Sequence, residues 1–314
     1  MKKQTVLSLL SLCLLLMGCL REDMSGCETI EGEGLVIHFA YTNEKGVDEF
    51  ASRVDQVDLY VFDEGGYYLS NHSYNARKLS EFQGSDNLNL EPGTYHIICW
   101  GNVYGNDILP QLTEDMMVHS ARISYTETAV GGDSLYYAPR KTSTSLNDFP
   151  LYEITVPEKG KEEVTLEFMT TYYALNVYVK GLKDYIGSYN QNPYIEVKGL
   201  PESYDFHLRL GEYNRNFTRI SQTVTVEGQN YAHSSFLTRY IERENPVEIC
   251  VIRSTTQEVV HSVNLQEILQ ASNYVLKIGV YADINVYIEF LPDGSVEVSL
   301  KITGWNNTGV SPGI

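Results

Sequence analysis

The stretch Val296-Glu297-Val298-Ser299-Leu300-Lys301-Ile302 alternates apolar and polar residues without a break. Only an extended chain puts every second side chain on one face, so the segment reads as a β-strand with one buried and one solvated side. Pro292-Asp293-Gly294 just ahead of it is a turn signal. The same grammar recurs along the chain, over 35–41, 94–100, 151–156, 174–179, 194–197, 206–210, 247–252, 258–263, 274–280 and 284–290. Val57, Leu59 and Val61 alternate with Asp58, Tyr60 and Phe62, and Asp63-Glu64-Gly65-Gly66 then supplies hairpin turn residues. Val164, Leu166 and Phe168 alternate after Pro157-Glu158-Lys159-Gly160, which reads as a break between two units. Many short strands parted by turn residues predict an all-β chain of two β-sandwiches, over 35–160 and 161–314. Helix is confined to a short run after Asn264, where Glu267 stands at the capping-box position, and at most a second short helix near 112–119.

The amino terminus is an address. Lys2 and Lys3 precede an apolar run over 6–17, too short to span a bilayer of about 30 Å. It ends in Leu16-Met17-Gly18-Cys19, a lipobox in which a signal peptidase cuts ahead of a lipid-modified cysteine. An ordinary secretory peptide is the other reading of the run. The first reading makes 1–18 a lipoprotein signal peptide, Cys19 the lipidation site and 19–34 a polar tether. Each acyl CH₂ in the bilayer is worth about 0.8 kcal/mol, and several chains on one cysteine hold a protein to its membrane.

Formal charge is −18, from 23 basic and 41 acidic residues. Loss of Lys2 and Lys3 with the signal leaves 21 against 41, a net −20. That field repels phosphate and no basic stripe offsets it, which argues against nucleic acid. Of five cysteines, Cys13 leaves with the signal and Cys19 carries lipid, leaving Cys27, Cys99 and Cys250. This is no disulfide framework and no metal pattern. Buried free thiols and a Cys27–Cys99 bridge are the two readings.

Signatures of catalysis are missing from the sequence: no HExxH, no P-loop, no GxGxxG. Gly132-Asp133-Ser134-Leu135-Tyr136 lacks the closing glycine of a nucleophile elbow, and the seven histidines never pair at metal-ligand spacing. No catalytic residue, metal, cofactor or small-molecule substrate is expected. Asp133-Ser134-Leu135 resembles a short O-glycosylation acceptor of Bacteroidetes-type bacteria, with Ser134 as the acceptor; an unmodified loop serine is the plain alternative.

Several segments together resemble the FimB-like minor fimbrial anchor subunits of Bacteroidetes. They are the opening Cys19-Leu20-Arg21-Glu22-Asp23-Met24-Ser25-Gly26-Cys27 and Val57-Asp58-Leu59-Tyr60-Val61-Phe62-Asp63 with Gly65. Pro92-Gly93-Thr94-Tyr95 with Cys99-Trp100-Gly101-Asn102, then Phe168-Met169-Thr170, and the ending over 298–302 with Gly304-Trp305 complete the set. The acidic pair Glu22-Asp23 also resembles signals that send such lipoproteins to the exterior face. The resemblance implies two transthyretin-like sandwiches and a lipoprotein that fixes the base of a fimbria to the outer membrane and limits its growth. The implied partner is a fimbrial stalk subunit, met by strand complementation. Val296, Val298, Leu300 and Ile302 mark the candidate interaction strand, which either is donated or completes its own sheet. In stalk subunits an N-terminal strand is removed after a basic residue; here cutting at Arg53 separates the lipid from the body, so the Arg53–Val54 bond is expected to persist. The alternative reading is a surface lipoprotein whose sandwiches bind glycan or another envelope protein.

Overall fold

The computed structural model describes residues 34–43, 45–81, 85–140, 150–182 and 192–304. The expected all-β architecture is present, as two sandwiches. In the first, a sheet of Lys161–Glu167, Gly34–Ala40 and Ser85–Leu88 faces a larger sheet. The larger sheet runs Met169–Thr170, Tyr136–Tyr137, Gly93–Gly101, Gln56–Asp63, Tyr68–Asn75, with Tyr152–Val156 also on Gly93–Gly101. Leu35, Ile37, Phe39, Val57, Leu59, Val61 and Cys99 fill the space between them.

The second sandwich packs Gln222–Val226, Gln229–Arg239, Tyr172–Lys180, Asp283–Phe290 and Val296–Thr303 against a four-stranded sheet. That partner sheet is Arg215–Ile220, Tyr194–Leu200, Glu248–Ile252 and Val259–Asn264. Its core includes Leu175, Val177, Ile195, Val197, Phe236, Val251 and Val286. Helix Leu265–Ala271 begins as expected: Asn264 Oδ1 accepts from the backbone N–H groups of Gln266 and Glu267, at 3.0 and 3.4 Å. The Asn264 side-chain Nδ2 donates to the Glu267 carboxylate at 3.3 Å, a side-chain bond in place of the capping box's backbone one.

Four expectations need correction. The segment 161–168 belongs to the first sandwich. Lys161–Glu167 lies parallel to Gly34–Ala40 over seven paired residues, and Leu166 and Phe168 enter the first core. The 157–160 break is therefore a turn from one sheet of the first sandwich to the other. Residues 206–210 form no strand: Ser203–Asp205 is the strand, and Leu208 at φ 63° closes a tight turn after it. Residues 274–280 form a strap rather than a strand, with Val275 67% exposed and the Gly279 N–H bonded to the Tyr240 hydroxyl. Finally, Tyr60 and Phe62 are as buried as Val57, Leu59 and Val61, so their strand has no solvated face.

The last correction leads to the junction. The outer side of the first large sheet is covered by a small sheet of Ser203–Asp205, Arg122–Tyr125 and Asp107–Ile108, built from both halves of the chain. Phe206 packs on Tyr60 and Tyr204 on Trp100, with ring centroids 4.9 and 5.9 Å apart. The Tyr137 hydroxyl donates to the Phe206 carbonyl at 2.8 Å. Arg239, on the long strand of the second sandwich, is 1% exposed and bonds the Asp107 carboxylate at 2.7 Å. Its guanidinium also donates to the Ile123 carbonyl and lies 3.8 Å from the Tyr125 ring centroid. The second Asp107 oxygen accepts the Asp133 N–H at 2.8 Å. A buried charge without its partner is far more costly than an exposed one. In urea unfolding, Asp107→Ala should therefore cost about 3–5 kcal/mol. Lys180→Ala, which breaks the half-exposed pair with Glu289, should cost about 1 kcal/mol or less.

Candidate functional site: a free strand edge

The turn Leu291–Ser295 sets up the last strand. Gly294 takes φ 87°, where a Cβ is disfavoured, and its N–H bonds the Leu291 carbonyl at 3.0 Å. Asp293 Oδ1 accepts from the Ser295 N–H and hydroxyl at 2.9 and 2.6 Å. From there Val296–Thr303 pairs antiparallel with Asp283–Phe290 for eight residues without a register shift, Phe290 opposite Val296 through Asp283 opposite Thr303. On its other side no described strand pairs with it.

Val296, Val298, Leu300 and Ile302 point inward, while Glu297, Ser299, Lys301 and Thr303 are exposed. The candidate strand thus completes its own sheet here. The inward row is only half-buried, whereas Ile284, Val286, Ile288 and Phe290 on the neighbouring strand are 0–3% exposed. Helix Leu265–Ala271 comes close to this strand, but no described strand continues the sheet, and the apolar row at the rim stays partly wet.

Other edges are blunted in the ways that keep sheets from pairing with strangers. On Arg215–Ile220, Arg215 and Arg219 reach across to the carbonyls of Thr126 and Val130 at 2.7 and 3.0 Å. Val259–Asn264 and Tyr68–Asn75 each carry a register shift. Gln222–Val226 and Ser85–Leu88 are short, and Lys161, Glu162 and Glu163 stand exposed along Lys161–Glu167. Val296–Thr303 is long, has no register shift and no guanidinium folded over it, and carries only Glu297 and Lys301 as exposed charges.

The other predicted residues are scattered. Cys19 and Cys27 lie outside the described residues, as do the signal, nearly all of the tether and the tail after Gly304. Cys99 and Cys250 are buried free thiols, and burial pushes the Cys99 thiol well above its ordinary pKa. Ser134 is half-buried between the buried Asp133 and Leu135. Asp133 is committed to the junction, accepting from the N–H groups of Tyr104 and Asp107 at 2.7 and 3.2 Å. Among the described residues no cluster of His, Cys, Asp or Glu could hold a metal ion, and no helix is long and apolar enough to cross a membrane.

Arg53 ends the one-turn helix Phe50–Arg53, its side chain bonded to Glu49 at 3.0 Å. The peptide bond that follows is clasped. Asn102, at φ 59°, donates from Nδ2 to the Arg53 carbonyl at 2.7 Å and accepts from the Asp55 N–H at 3.0 Å. The Val54 N–H bonds the Phe50 carbonyl, and Val54 itself is buried. Sequence reasoning names Asn102 only as the end of Cys99-Trp100-Gly101-Asn102; its hold on Arg53 is not readable there, because its partner lies 49 residues away.

A sequence model of the fimbrillin-A associated anchor proteins Mfa1 and Mfa2 matches residues 24–310. The chain belongs to that family. Among solved structures it is similar to a candidate adhesin from Bacteroides ovatus, at 15% identity and TM-score 0.67, covering 87% of this chain and 94% of the other. A candidate polysaccharide-binding protein from Bacteroides thetaiotaomicron is similar at 17% identity and TM-score 0.65, covering 86% and 96%. The fimbrial anchor protein Mfa2 from Porphyromonas gingivalis is similar at 17% identity and TM-score 0.60, covering 87% and 98%. At these identities the likeness is one of fold. No curated protein matches the chain by sequence. The family match bears out the resemblance on which the fimbrial expectation rested.

A protease must draw several residues around its target bond into an extended form, and in this family member the Asn102 clasp opposes that. Limited trypsin digestion of the folded protein should leave the Arg53–Val54 bond intact. Asn102→Ala should expose a fragment beginning at Val54, read by mass spectrometry.

Proposed function

We propose that this protein is a lipid-anchored outer-membrane component that fixes the base of a fimbria and limits its length. An adjoining fimbrial subunit docks by laying an extended strand along the free edge Val296–Thr303. Membership of the anchor family supports the fimbrial role. The lipobox ending in Cys19 supports the lipid, and the Glu22-Asp23 pair supports the exterior face.

One observation carries the docking: an eight-residue edge, free of bulges, whose inward Val296, Val298, Leu300 and Ile302 remain half-exposed. A partner strand there would gain main-chain hydrogen bonds along its length, and its alternate side chains would cover the apolar row. Such a contact is slow to break, since the whole strand must leave together. Burying one aliphatic side chain fully is worth about 1.5–3 kcal/mol, so finishing the burial of four is a substantial drive.

Two variants test the two parts. Cys19→Ser should leave a chain neither acylated nor cut at position 19, read by mass spectrometry of its amino terminus, with fimbriae released into the medium; fimbriae that stay on the cells would overturn the lipid anchor. Val298→Lys places an inward charge on the edge, a device that sheets use to refuse partners. It should leave a cooperatively folded, membrane-bound protein from which fimbriae detach and lengthen. Wild-type attachment in a folded V298K protein would overturn docking at this edge.

A further inference from the structure

The outward face of the five-stranded sheet carries a row of rings that stops short at the edge. Register puts His233, Tyr178, Tyr287 and Ser299 side by side on four neighbouring strands. His233 stacks on Tyr178 with ring centroids 4.5 Å apart and planes at 21°. Tyr178 stacks on Tyr287 at 4.7 Å and 12°. Tyr231 leans across the central strand, its ring 5.8 Å from Tyr287 at 72°, braced by Lys180 5.6 Å above it.

Tyr287 therefore has one ring face covered by Tyr178, and the other turned toward the edge strand. The residue opposite it there is Ser299, which is too short to cover a phenol ring. Glu297 and Lys301 flank Ser299 on the same face, exposed and with no side-chain partner among the described residues. Elsewhere on this face charge is already matched, Lys180 bonding both Glu289 and Gln229 at 2.7 Å.

We propose that Tyr287, Ser299, Glu297 and Lys301 form a subsite for a neutral pyranose unit of an extracellular glycan. An aromatic face is electron-rich and attracts the polarised C–H groups on the flat side of a sugar ring. The serine leaves room for that ring, and a carboxylate and an ammonium on either side suit its equatorial hydroxyls as acceptor and donor. The two free charges cancel, so the subsite selects no ionic ligand, and the −18 of the whole chain turns polyanions away. An apolar peptide side chain would fill the gap but leave Glu297 and Lys301 without partners. The inference is independent of strand docking, since it uses the outward side chains and docking uses the inward row.

Ser299→Phe is the decisive variant. It keeps Tyr287, Glu297 and Lys301, sits at an exposed position where aromatic residues suit a strand, and fills the room above Tyr287 with its own ring. The detergent-solubilised full chain is titrated in a calorimeter with soluble hexasaccharides of glucose, mannose, galactose and N-acetylglucosamine, and with heparin. At least one neutral hexasaccharide should bind with Kd of about 1 mM or tighter, and heparin should not. S299F should weaken that binding by roughly tenfold or more, and Tyr287→Phe, which keeps the ring, should change it by about twofold or less. The proposal is overturned if no neutral hexasaccharide binds, if heparin binds in their place, or if S299F binds as well as the wild type.

Discussion

The fold depends on the buried guanidinium of Arg239. Two sandwiches joined by a short linker would ordinarily pivot, because interfaces between domains of one chain are small and wet. Here Arg239 of the second sandwich is held by Asp107 and the Ile123 carbonyl from the first half, and lies against Tyr125. The charge is tolerable inside the protein only while all of those partners stay in place. Around it the hydroxyls of Tyr204 and Tyr137 bond carbonyls across the same boundary, and burial holds their pKa values far above neutral, so they remain donors. Moving one sandwich against the other breaks several of these bonds at once. The two halves also share one continuous core, from Trp100 and Tyr137 to Leu175 and Val286.

Much of this was legible in the sequence, and the failures have a common cause. Alternation finds a strand wherever one face is wet, which is why 35–41, 284–290 and the last strand were placed within a residue or so. It misleads where both faces are dry: the polar-looking side of the Gln56–Asp63 strand is buried under Phe206. It says nothing about which sandwich a strand joins, so Lys161–Glu167 went to the wrong unit; its partner Gly34–Ala40 lies over a hundred residues earlier. The hairpin Gln222–Val226 and Gln229–Arg239 was missed although its signal was present. Thr223, Val224, Thr225 and Val226 are strand formers, and Glu227-Gly228 takes the two positive φ angles of a tight turn, 50° and 79°. At the candidate site the inward row was readable, and its place at an edge was not, because edges belong to topology.

An exposed edge is a hazard that a surface protein tolerates only with a partner in prospect. The other described edges show that this chain commands the usual defences: guanidinium groups folded over carbonyls, register shifts, short strands and rows of charge. Val296–Thr303, long and without a register shift, has only the outward Glu297 and Lys301. Beyond that light defence, Val296, Val298, Leu300 and Ile302 extend the core to its rim and stay only half-buried there. An edge under selection only for solubility would place a lysine or a proline among them.

The same logic bears on the other end of the chain. If Cys19 carries the lipid, any pull on the protein enters through Gly34–Ala40, the first described strand. That strand is central in its sheet, parallel to Lys161–Glu167 along seven residues and antiparallel to Ser85–Leu88 along four. Leu35, Ile37 and Phe39 are buried beneath it, and Phe39 meets Phe50, Tyr74 and Phe168. A tension along the strand must shear these contacts together rather than unzip them in turn. The bond after Arg53 is the weak point of that route, because cutting it would leave the lipid on a piece held only by non-covalent contacts. The Asn102 clasp lies at that point, tying the turn after Arg53 to the strand that contains Trp100. With a lipid on Cys19, the central strand and the clasp would carry a pull from the membrane into the body through covalent chain.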